Sequence, residues 1–99
     1  MDKNGYNPSI LQAGQRCFLC GRTDRKLDRH EVFGGAFRSK SKRLGLWVLL
    51  CHEPCHMIRV HGDAEISRGL RKFAQQRAMT EYCWSVADWR HQFGKNYLD

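Results

Sequence analysis

The 99-residue sequence predicts a small α+β domain stabilised by zinc. Three observations predict it. Cys17-x2-Cys20 and Cys51-x3-Cys55 are two short cysteine knuckles separated by thirty residues. Two β-prone pieces, EVF (31–33) and the continuous apolar LWVLLC (46–51), lie between those knuckles. Helical signals then begin at Asp63 and continue almost to the end of the chain.

Residues 1–13, with Asn4, Gly5, Asn7 and Pro8, read as a flexible or loosely docked leader, and 14–99 as one domain with a core of 17–62 and a helical extension of 63–99. CFLCG (17–21) suits a tight knuckle because a glycine follows the C-x2-C pair. EVF ends at Gly34-Gly35, and AFRSKSKRLG (36–45) reads as a strongly basic loop leading into LWVLLC, a buried strand. A few helical residues are expected after Cys55. Asp63 and Glu65 suit the positive end of a longer helix, in which Ile66, Leu70 and Phe73 share a face with Arg77. Ser85 with Asp88 three residues on resembles a capping box, Val86, Trp89 and Phe93 share one side, and Gly94 is a stop. That aromatic stripe has the spacing that core packing requires.

A chain this short buries only roughly 60–65% of its unfolded surface in one modest core. The longest apolar run is too short to span a bilayer, and the first residues lack the apolar stretch of a signal peptide, so a cytoplasmic setting is expected. Five cysteines in a reducing compartment point to metal binding before disulfides. Seventeen basic residues against ten acidic ones give +7 and a pI near 9.5, which favours a polyanionic partner, most simply DNA, over a membrane.

A tetrahedral zinc needs four thiolates about 2.3 Å from the metal, which Cys17, Cys20, Cys51 and Cys55 supply. His52 is an alternative ligand in the wider second knuckle. Cys83, between Tyr82 and Trp84, is left over and expected to be a buried free thiol. Zinc does not require His30, His56 or His61. If it clamps the two knuckles together, His30 and His56 face one another near Asp28 and Glu31. One face then carries imidazoles and carboxylates, the groups that metal-dependent phosphodiester hydrolysis uses.

LDRHEVFGG (27–35), GLWVLLCHEPCH (45–56) and VHG (60–62), with CFLCG upstream and FGKNYL (93–98) at the end, resemble small phage-type HNH endonucleases. That family has a ββα-metal, treble-clef architecture and is related to phage recombination-enhancement nucleases. The resemblance implies structural Zn2+ on the four cysteines and a catalytic Mg2+ or similar ion, with His56, His61, Glu31 and Asp28 as its candidate ligands. It further implies DNA as substrate, 5′-phosphate products, and a host or phage recombination or packaging protein as a possible partner in the host cytoplasm. The family's paired positions, a ligand followed by the histidine base, fall on His30 and Glu31, a departure. By position His30 is a ligand and Glu31 replaces the base. By chemistry His30 activates water, because an imidazole titrates nearest neutral pH and a carboxylate suits a hard metal. The chemical assignment is preferred.

Arg38, Lys40, Lys42 and Arg43 are expected to contact the DNA backbone from the basic loop, and Arg29 to position a phosphate. No base-reading helix is evident. A rival from another class is a non-catalytic zinc-binding DNA or protein adaptor, in which Glu31 marks a decayed site.

Overall fold

The computed structural model describes residues 2–98 and has a two-stranded sheet with helices, a small α+β arrangement. Strand β1 (Leu27–Glu31) pairs antiparallel with β2 (Trp47–Cys51), placing His30 opposite Val48 and Asp28 opposite Leu50. Successive strand side chains point to opposite faces. Asp28 and His30 therefore share the inner face with Val48 and Leu50, which are both fully buried, while Leu27, Arg29, Trp47 and Leu49 lie on the outer face.

β1 lies earlier than EVF. Glu31 ends the strand, Val32 adds a bond from its N–H to the Leu46 carbonyl, and Phe33 turns inward into the core. The expected basic loop is also corrected: it is a short turn of helix over Gly35–Phe37 followed by α1 (Arg38–Leu44). Lysine, arginine and serine do not break a helix, Lys42 and Arg43 suit its negative end, and Gly45 closes it in the left-handed region at φ 75°. Buried Ser41 anchors it. The Ser41 hydroxyl donates to the Phe33 carbonyl at 2.8 Å and accepts from the Phe33 N–H at 3.2 Å.

A helical segment with widened turns follows β2 over His52–Val60, broken by the extended backbone of Glu53. Next, α2 (Ala64–Glu81) is capped by Asp63, whose carboxylate accepts from the N–H groups of Glu65 and Ile66. In α3 (Val86–Phe93), Ser85 and Asp88 form the expected capping box and Gly94 the expected stop. Trp89 and Phe93 stack with centroids 4.2 Å apart and are buried against Phe33, whereas Val86 is exposed. Cys83, expected to be buried, is instead exposed at φ 54°, because the chain leaves α2 there in a tight left-handed turn. No helix of the described residues is long and apolar enough to cross a membrane.

Where a loosely docked leader was expected, residues 7–12 lie along the open edge of β2, while Asp2 and Tyr6 bond to Arg29 and Glu31 of β1. Ser9 Oγ donates to the Trp47 carbonyl, the Leu49 N–H donates to Gln12 Oε1, and the Trp47 indole donates to the Asn7 carbonyl. Gly45 lets this segment approach. A Cβ there would lie 2.4 Å from the Pro8 carbonyl oxygen, on a backbone that L side chains rarely adopt. Gly45→Ala is therefore expected to destabilise by about 1–3 kcal/mol in urea titration. It should also speed hydrogen exchange at the Ile10 N–H, which donates to the Gly45 carbonyl.

Candidate metal centres and cleft

The fold brings Cys17, Cys20, Cys51 and Cys55 together, with their sulfurs within 4.8 Å of one another. Cys20 Sγ and Cys51 Sγ are 3.8 Å apart, the edge of a tetrahedron with about 2.3 Å metal–sulfur bonds and far from a disulfide's about 2.05 Å. Cys17, Cys51 and Cys55 are buried. Burial opposes ionisation of Cys17, but N–H groups of Cys51, Cys20 and Leu19 outweigh it and bring the thiol down to about 6. Burial, then the neighbouring sulfurs, push Cys55 up to about 12. Four thiolates cannot share this space without a cation to neutralise them. The donor set therefore fits a metal such as zinc, and His52 is not needed as a fifth donor.

A second group forms on the inner face of the hairpin. His30 from β1, His56 from the segment His52–Val60 and His61 just beyond it place ring nitrogens within 4.8 Å of one another. His30 meets His56 and His61 nearly edge-on, with centroids at 5.3 and 5.7 Å. Burial first, then the charges of His56 and His61, push the His30 imidazole down to about 4. It stays neutral near pH 7, with a ring nitrogen lone pair available to a metal. Unfolding exposes His30, which then takes up a proton below about 6.5, so its contribution to stability is present above that pH and lost as pH falls toward 4. With the histidine site free of metal, the His30 ring resonances are expected to titrate near pH 4 in NMR.

Asp28 stands elsewhere than the ligand position expected for it. Two residues before His30, it shares the face but is displaced by about 7 Å along the strand. Its Oδ2 lies 2.7 Å from His52 Nδ1 and 2.8 Å from His56 Nδ1. Asp28 thus fixes the ring of His56, leaving Nε2 as the nitrogen free to bind, and gives His52 a place beside it. Burial works against the Asp28 charge, but the bonds to His56 and then His52 hold its carboxyl below the usual range.

Glu31 points from the opposite side of the strand to the cleft rim and lies outside the three-imidazole group. It accepts the Tyr6 hydroxyl at 2.6 Å and has Arg38 Nε at 4.0 Å. Burial, with Glu31 next, pushes Tyr6 up to about 12. Arg29, on the outer face like Glu31, pairs with Asp2 at 2.9 Å and lies over the Tyr6 ring, and it also lines the cleft.

Because 36–45 is largely helical, its cations diverge about 100° per residue. Arg38 lines the cleft. Lys40 reaches the Gln92 carbonyl beside Phe37 and Phe93, Lys42 lies over Tyr6, and Arg43 borders a separate depression with Asn4 and Ser39. The cleft, of about 500 Å3, also contains Ser67 and Arg71 of α2, neither of which is among the site residues expected from sequence. Their signal was present in the chain: they follow the cap Asp63 by four and eight residues, one helical face beside the apolar one. Tyr6 carried no comparable signal.

The chain matches no family model, no curated protein and no solved structure.

Proposed function

We propose that this protein is a metal-dependent endonuclease of the HNH type, with a zinc-stapled treble-clef core and DNA as its substrate. The observation that carries this is the convergence of His30, His56 and His61 in one open cleft beside a separate four-cysteine cluster. A closed four-sulfur set suits a structural ion, and three ligands with open positions suit a catalytic one. Three imidazoles favour a borderline transition ion over Mg2+, which prefers oxygen donors. Bound there, such an ion would supply Lewis-acid stabilisation of the phosphodiester and its leaving oxygen.

The chain's own groups divide the remaining work. His30 joins His56 and His61 as a ligand in this reading, in place of the water-activating role preferred from sequence. Glu31 is then the group at the cleft rim able to accept a proton from water, and the Tyr6 hydroxyl orients it. Asp28 holds the His56 ring in the ligating orientation, as carboxylates behind metal-bound histidines do. Arg38 and the net charge of +7 attract the DNA backbone.

Supercoiled plasmid is expected to be nicked in the presence of Mn2+, Co2+, Ni2+ or Zn2+, more slowly with Mg2+, and not after chelation of the histidine-bound ion. Absence of nicking with every divalent ion, alongside intact DNA binding in a gel shift, would leave the adaptor function instead. RNA in the same assay separates the two nucleic acids.

A further inference from the structure

We propose that Arg71 and Lys95 form a phosphate clamp that takes the DNA backbone beside the bond that is cut. The clamp extends the proposed nuclease cleft and rests on that function for its substrate. Arg71 stands where two depressions meet. It lines the cleft of His30 and His56, and it also lines a neighbouring groove of about 330 Å3 with Gly34, Lys95 and Tyr97. One path therefore runs from the three imidazoles past Arg71 to Lys95.

Arg71 is half-buried, and its guanidinium is kept in place without being neutralised. It donates to Ser67 Oγ at 2.7 Å, one turn earlier on α2, and lies 5.8 Å from the centroid of the Tyr97 ring. Lys95 Nζ lies 5.4 Å from the same centroid. Tyr97 is itself immobilised against Phe33 at 5.1 Å, and its N–H donates to the buried Gln75. Among the described residues, neither Arg71 nor Lys95 pairs with a carboxylate, although Arg77, Arg29, Arg38, Lys26 and Arg22 all do.

Partly desolvating a guanidinium without an anion costs free energy, and a fixed, planar, unneutralised fork is suited to a phosphate. Gly34 forms the rim between the two depressions, and a Cβ there would meet nothing within 4 Å, so backbone and ligand can approach closely. The clamp is built by α2 and the segment after α3, outside the stretch that holds the imidazoles. It requires the chain after Gly94 to return beneath α2, which the bond from Gln75 Nε2 to Asn96 Oδ1 at 2.8 Å secures.

The test is fluorescence anisotropy of a labelled DNA duplex across a salt series, with zinc on the cysteines and no ion added for the histidines. Arg71→Gln and Lys95→Gln are each expected to weaken binding about five- to tenfold at low salt. Each should also lower the slope of log K against log salt by about 0.9, while Lys72→Gln, exposed on the same helix, changes affinity less and leaves cleavage unaltered. Lys95 is exposed, so its variant reads the clamp even if Arg71→Gln were to loosen the fold. Wild-type affinity and slope in both variants would overturn the clamp. Binding that depends on both residues, in a protein that never nicks plasmid, would uphold the clamp and overturn the nuclease function.

Discussion

Cys51→Ser is expected to abolish cooperative folding of the entire chain. Cys51 is fully buried, ends β2, and brings its sulfur into the group formed with Cys17, Cys20 and Cys55. That group fastens the turn before β1 to the segment after β2, so its loss frees both ends of the hairpin that carries His30. A domain of this size has roughly 5–15 kcal/mol of stability, and a structural zinc site contributes on the order of 10–16 kcal/mol. Removing one thiolate therefore removes a quantity comparable with the whole. Far-UV circular dichroism and tryptophan fluorescence should show loss of the native signal, and metal analysis should fall from one tightly held zinc to none. Cys83→Ser is the control: exposed and distant from the four sulfurs in sequence, it should keep the zinc and the wild-type transition. A folded Cys51→Ser protein with an unchanged melting temperature would show that no metal holds these knuckles.

The two cysteine knuckles were legible in the sequence because ligand spacing defines their chemistry without any knowledge of the fold. α2 and α3 were legible for a related reason: Asp63, Ser85 and Gly94 end their helices through local hydrogen bonds and backbone geometry. α1 was hidden. RSKSKRL has no apolar stripe, and its one buried residue is Ser41, a polar side chain whose role depends on Phe33, eight residues earlier. β1 was misplaced toward the apolar EVF because the strand itself, LDRHE, is mostly polar and serves the cleft on one face and the leader on the other. The grouping of His30 with His56 could be anticipated once the knuckles were joined. The position of Asp28 behind His56 could not, since it follows from strand register and from the turn of the segment after β2.

His56→Ala and Glu31→Gln are expected to abolish or sharply reduce cleavage for different reasons, and the difference decides which group activates water. His56→Ala removes one of three imidazoles, so binding of Co2+ to the histidine site should be lost together with nicking, while the four-sulfur site keeps its metal. Glu31 lies outside the imidazole group, so Glu31→Gln should bind Co2+ with wild-type affinity and spectrum yet cleave about 10²–10⁴-fold more slowly. Asp28→Asn falls between them: Asn keeps the volume but weakens the charged bond to His56 Nδ1, and metal affinity should drop about 10–100-fold with cleavage restored at high metal. His30→Ala completes the comparison. If His30 is a ligand it behaves as His56→Ala does, whereas retained Co2+ binding with lost cleavage would make His30 the base and Glu31 a rim residue. The geometry favours the first outcome, because the ring nitrogens of His30, His56 and His61 lie within 4.8 Å of one another, close enough to share one ion, whereas Glu31 stands outside that group at the cleft rim.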